Sequence, residues 1–209
     1  MDLEQPLAAL GGRIPPANWG RQSPKATYGE IRGEDARLGA WARRTGCFLN
    51  DTAIAELADS ADRRDGGEEH EVFLYSEREA AFVLRLTHGN MFGHPDRTPR
   101  EYLSRWRTFN QLFPAAAVEF EGYAQNAWGN GIIVTRQPLI NGEKRSLEAI
   151  AEALLPLGFE ASPDRDFCFI HPASAIEIHD AHEDNVLFDG DGNMIPIDVW
   201  IYDPNDLLG

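Results

Sequence analysis

The sequence predicts an α+β fold, and three features carry the prediction. Two pairs of runs have the two-residue alternation of β-strands, each pair is followed by a stretch with helical spacing, and the chain closes in short apolar runs separated by turn residues. Taking the elements in order, residues 1–33 hold Gly, Pro and Asn in GGRIPPANWG with weak periodicity and read as an arm. From Glu34 the run EDARLGAWARR predicts a short helix with Leu38, Trp41 and Ala42 on one face. Asn50 or Asp51 caps a second helix that turns Ile54, Leu57 and Ala58 inward.

After the polar stretch ADRRDGGEEH the period shortens. EVFLYS and AFVLRLT flank the turn-like EREA and predict an antiparallel hairpin. Thr98 supplies an N-cap and Pro99 the first helical residue. Tyr102, Leu103, Trp106, Phe109 and Leu112 then recur at helical spacing until Pro114 stops the helix. AVEFEGYAQN and GIIVTRQPL make the second strand pair, joined around Gly129–Gly131, and Ser146 caps the helix LEAIAEALLPLGF. DFCFIH, AIEIHD, NVLFD and NMIPIDVWIYD read as short strands, the last two joined by the turn Asp189-Gly190-Asp191-Gly192.

A chain of 209 residues can bury a sizeable core without disulfides. A net charge of −15 argues against general nucleic-acid binding, which relies on Lys and Arg neutralising phosphates. An acidic site still accepts a nucleotide when divalent cations stand between the two. Cys47 and Cys168 have no His at zinc-site spacing and are too few for a disulfide framework, so they read as buried free thiols in a reducing compartment. The amino-terminal MDLEQPLAALGG lacks the basic region of a secretory signal, and no apolar run approaches the roughly 20 residues of a membrane span. These features predict a soluble, cytoplasmic protein with no membrane partner.

Chemistry concentrates in IHDAHEDNVLFDGDGNMIPIDVW. Asn185 follows Asp180 by five positions, NVLF and MIPI are the intervening strands, and Asp198 ends the second of them. Phosphoryl transfer needs a carboxylate to orient the attacking hydroxyl and oxygen ligands for Mg²⁺, and an Asp, an Asn five residues on and an Asp after another strand supply them. A hydrolytic metal site on His171, His179, Asp180 and His182 would need a helix to bring His179 and His182 to one face, whereas AIEI and NVLF are strand-like. A calcium loop from Asp189 lacks the Gly at its sixth position and the Glu at its twelfth.

With these residues in view, the chain resembles the serine/threonine/tyrosine kinase domain found in polyvalent proteins of phages and mobile elements, a small member of the protein-kinase-like superfamily. The similar stretches are GGEEHEVFLYSEREAAFVLRLT, TPREYLSRWRTFNQLFP, GIIVTRQPLINGE and DAHEDNVLF with MIPIDV. The DAHEDN segment is also similar to aminoglycoside and choline kinases, where a His often stands at the place of His182. The resemblance implies ATP and Mg²⁺ as cofactors, Asp180 as catalytic base, and Asn185 and Asp198 as Mg²⁺ ligands. It puts Gly66 and Gly67 in the loop over the phosphates and Arg85 at the position of the phosphate-binding Lys, with Glu101 as its partner. It makes Gln137 to Leu139 the hinge beside the adenine. Arg85 keeps the charge of that Lys but not the compact geometry of an ammonium. The implied organisation is an arm and short helix over 1–45, a small antiparallel-sheet lobe with one helix over 46–138, and a shortened second lobe over 139–209. The function expected is transfer of the ATP γ-phosphate to a hydroxyl acceptor, protein or small molecule. The alternative is a kinase-like module that binds a nucleotide or a protein without transferring phosphate.

Overall fold

A computed structural model of the chain describes residues 1–11, 26–59, 61–64, 67, 69–77, 80–89, 91–92 and 97–204. It is an α+β structure whose sheets are antiparallel, and it divides into two compact units. The first contains the described residues up to Arg107 together with Val118–Leu139; the second contains Thr108–Ala117 and the described chain from Ile140 onward.

The first unit opens where the sequence predicts an arm, with a short helix α1, Glu4–Leu10, that buries Leu7 and Leu10. Helix α2 spans Tyr28–Thr45 and so begins six residues before Glu34. Thr27 accepts from the Glu30 N–H while Glu30 returns a bond to the Thr27 N–H, a capping box that satisfies two orphan donors of the first turn. Gly46 ends the helix at φ 78°, a conformation that costs glycine nothing. Asp35 then ties α2 to the sheet, accepting from the Tyr123 hydroxyl at 2.6 Å and the Gly131 N–H at 3.3 Å. A side chain at position 131 would collide with the Asp35 carboxylate, so this close approach requires glycine.

Helix α3, Asp51–Asp59, is capped by the Asn50 side chain. Five strands follow in this unit: β1 Asp62–Arg64, β2 His70–Glu77, β3 Ala80–Thr87, β4 Glu119–Gln125 and β5 Gly131–Pro138. They form one sheet in the order β1-β2-β3-β5-β4. Strand β1 comes from the stretch read as a polar connection; its three residues pair Asp62 with Leu74, Arg63 with Phe73 and Arg64 with Val72. One face of the sheet presents Phe73, Leu84, Leu86 and Val134 to Leu49, Ile54 and Leu57. The alternate positions His70, Val72, Arg85, Thr87, Thr135 and Gln137 share the opposite face through the registers of β2 with β3 and β3 with β5. Helix α4, Pro99–Leu112, brings the buried Tyr102 to that face, where its hydroxyl meets His70 and Thr135.

In the second unit, Ser146 caps α5, Leu147–Leu154. The predicted helix is shorter than LEAIAEALLPLGF: Pro156 turns Leu155–Leu157 into a tight 3₁₀ turn, and Gly158 closes it at φ 85°. Strands β6 Glu160–Ala161, β7 Phe169–Ile170, β8 Glu177–His179 and β11 Trp200–Tyr202 form a sheet in the order β11-β8-β7-β6. Strands β9 Val186–Phe188 and β10 Met194–Pro196 form a separate hairpin. The run NMIPIDVWIYD therefore divides between two sheets. Pro196 has no N–H to continue a ladder, and the N–H groups of Ile197 and Asp198 turn instead to the Asn185 carbonyl, at 2.8 and 3.4 Å. Among the described residues no helix is long and apolar enough to cross a membrane.

Candidate functional site

The residues of IHDAHEDN leave β8 and enter β9 through a closed loop. Asp180 has φ 59°, in the left-handed region that Asp tolerates better than most residues. The loop is stitched by His182 N–H to the Asp180 carbonyl at 3.1 Å and Asn185 N–H to the His182 carbonyl at 3.0 Å. Asn185 Nδ2 donates to the Asp180 carbonyl at 2.9 Å and to Asp180 Oδ2 at 2.8 Å. His182 Nε2 lies 3.3 Å from Asp180 Oδ1. The Asp180 side chain is nonetheless 63 % exposed, so its carboxylate is oriented by two neighbours and open to solvent.

Asp198 reaches the same loop through its backbone bond to Asn185. Its side chain is exposed. Within the second unit, hydrogen bonds thus join the Asp180 and Asn185 side chains and the Asp198 backbone to Asn185. Asn185 Oδ1 and the exposed Asp198 carboxylate are the oxygen donors of this segment that could hold a cation. Oxygen donors of this kind suit Mg²⁺. Lys144 and Asp184 form an ion pair beside this loop, and the ammonium holds the Asp184 carboxyl below its ordinary range.

The other predicted residues lie in the first unit, and they divide. Arg85 is 5 % exposed, its guanidinium 5.4 Å from the Trp106 ring centroid, so it is no solvated strand residue. Gln137 shares its sheet face and is buried. Leu139 follows β5 and donates its N–H to the Ala81 carbonyl at 2.8 Å. Gly67 is exposed in the connection between β1 and β2; Gly66 lies outside the described residues. The Glu101 carboxylate accepts from the Thr98 N–H at 2.8 Å and from Arg97 at 3.3 Å. With the bond from the Glu101 N–H to Thr98 Oγ1, this is a second capping box. Burial pushes the Glu101 carboxyl up, and the Thr98 N–H opposes that.

Around Arg85 stands a buried polar group that helical and strand spacing alone do not reveal. His70 Nε2 is 3.0 Å from the Tyr102 hydroxyl, which is 3.4 Å from Thr135 Oγ1. Arg105, stacked 4.6 Å from the Trp106 centroid, donates to Glu69 at 2.9 Å. Burial, reinforced by Arg105, Arg85 and His88, drives the His70 pKa down to about 2, so its ring is neutral. Tyr102 and Trp106 are legible as core residues of α4; that their neighbours across the sheet are His, Thr and Arg needs the register. His182 had only its place in DAHEDN to mark it, and Lys144 only its nearness to GIIVTRQPLINGE.

The model of a protein family described as serine/threonine/tyrosine kinase found in polyvalent proteins matches residues 32–203. No curated protein matches the chain.

Proposed function

Because the chain belongs to the family of serine/threonine/tyrosine kinases found in polyvalent proteins, we propose that it transfers the γ-phosphate of ATP to a hydroxyl acceptor, with Asp180 as the base. The observation that carries this reading is the pair of hydrogen bonds that Asn185 Nδ2 donates to the carbonyl and the carboxylate of Asp180, which fixes an otherwise exposed acid. A carboxylate so held can take the proton of an acceptor hydroxyl as the hydroxyl oxygen bonds to the γ-phosphorus. The bond from that phosphorus to the bridging oxygen breaks, and ADP leaves. Asn185 Oδ1 and the Asp198 carboxylate are the groups that would hold Mg²⁺, whose charge neutralises the phosphates when it is bound.

In this reading the first unit is the small antiparallel lobe. Gly66 and Gly67 cover the phosphates, Gln137 to Leu139 border the adenine, and Arg85 supplies the cation. Glu101 supports α4 through its cap, which helps to position that helix beside Arg85. A second reading, nucleotide binding without transfer, is favoured by one observation: the Arg85 guanidinium is buried against Trp106.

ADP formation with water as acceptor separates the two. A positioned general base contributes about 10²–10⁴-fold, so Asp180→Ala should slow ADP formation by that factor while calorimetric affinity for MgATP stays within roughly threefold. A wild type that binds MgATP and forms no ADP supports the binding module. Equal loss of binding and turnover in a folded Asp180→Ala protein removes Asp180 from the role of base.

A further inference from the structure

Next to the Asp180 loop, three side chains with metal-binding chemistry meet on the sheet of the second unit. Cys168 immediately precedes β7, and the pairing of Phe169 with Ile178 sets it across from His179 on β8. Glu177 and His179 are two apart on the same strand and share a face. The thiol, carboxylate and imidazole ligand atoms all lie within 4.8 Å of one another. Ligands of one tetrahedral zinc ion stand about 3.5 Å apart, from bond lengths near 2.0–2.3 Å, so small side-chain adjustments close the gap. Cys168 is 3 % exposed, while the His179 and Glu177 side chains are 30 % and 20 % exposed, which leaves an entry on the imidazole side.

We propose that Cys168, Glu177 and His179 form a binding site for a zinc-class divalent cation. One sulfur, one nitrogen and one oxygen donor select a borderline-soft ion over Mg²⁺ or Ca²⁺, and three protein ligands leave a fourth position for water. Without metal the carboxylate is not idle: Glu177 accepts from His179 Nε2 at 2.7 Å and from Arg165 at 2.8 Å. The ion therefore displaces the thiol proton and competes with the Arg165 guanidinium for Glu177. Bound, it ties β7 to β8 at the residue that precedes Asp180. The site is independent of the phosphotransferase reading, and its test involves no nucleotide.

The test is titration of the chelator-treated full chain with Co²⁺, followed by the near-ultraviolet thiolate-to-cobalt absorption and its displacement by Zn²⁺. The expected result is one equivalent of Co²⁺ with that absorption, lost in Cys168→Ser and retained in Cys47→Ser. Glu177→Gln and His179→Gln should weaken binding at least tenfold, and Arg165→Ala, which releases Glu177, should tighten it. Circular dichroism establishes that each variant is folded. Absence of the absorption in the wild type, its survival in Cys168→Ser or its loss in Cys47→Ser overturns the proposal.

Discussion

The neutral, buried His70 makes stability depend on acid in a direction the structure fixes. Its pKa is about 2 in the folded chain against an ordinary 6.5, so between those values the unfolded chain holds one proton more. The contribution is present in full above pH 6.5 and is lost as pH falls. Each unit of separation is worth about 1.4 kcal/mol, and the loss from pH 7.5 to pH 5 integrates to about 2 kcal/mol. His70→Gln removes the titration and keeps an amide to meet the Tyr102 hydroxyl. At pH 7.5 the variant should be less stable by roughly 1–2 kcal/mol, for one imperfectly remade buried hydrogen bond. By pH 5 the wild type should lose about 2 kcal/mol that the variant keeps, so the gap should close or change sign, because only the wild type carries the cost of the unprotonated ring. Asp35 and Glu101, whose carboxyls burial raises, titrate with the opposite sign but are common to both proteins. Urea unfolding followed by circular dichroism across the pH series provides the comparison. A gap that stays constant from pH 7.5 to 5 refutes the assignment of a neutral buried imidazole.

Two further outcomes follow from the hydrogen bonds of the site. Glu101→Ala should cost about 1 kcal/mol in urea unfolding, the worth of a helix cap. Lost ADP formation with unchanged stability would instead make Glu101 a partner of Arg85. Asn185→Ala removes both the tether on Asp180 and a cation ligand, so it should abolish ADP formation and Mg²⁺-dependent stabilisation by ATP together. Turnover that persists within tenfold of wild type contradicts the role of that tether.

Most elements of the fold are legible because they answer to local rules. Thr98-Pro99 with Tyr102 and Trp106 at helical spacing marks α4, and the alternation in EVFLYS and AFVLRLT marks β2 and β3. Three of the departures have separate causes. Strand β1 is three polar residues at a sheet edge, with no alternation to read. Helix α2 begins early because the Thr27–Glu30 box overrides the low helical propensity of Gly29 and Gly33. The last predicted strand splits because Pro196 ends one ladder and Asn185 captures the next two N–H groups. In the candidate site, Asp180, Asn185 and Asp198 were legible as a spacing. The bonds that hold Asp180 and the Thr98 partner of Glu101 are local, five and three residues apart, whereas the polar neighbours of Arg85 depend on tertiary register, which spacing does not encode.

The proposed function requires a nucleotide site that needs both Mg²⁺ and Asp198. Thermal unfolding with ATP, in Mg²⁺ and in EDTA, on wild type and Asp198→Ala, tests it directly. Ligand at about a hundred times its dissociation constant adds roughly 2.7 kcal/mol, which for a chain of this size raises Tm by about 5–10 °C. The predicted result is that rise for wild type in Mg²⁺, and little or none in EDTA or in Asp198→Ala. An equal rise in all four conditions contradicts Asp198 as a cation ligand, and no rise in any of them contradicts the nucleotide site itself.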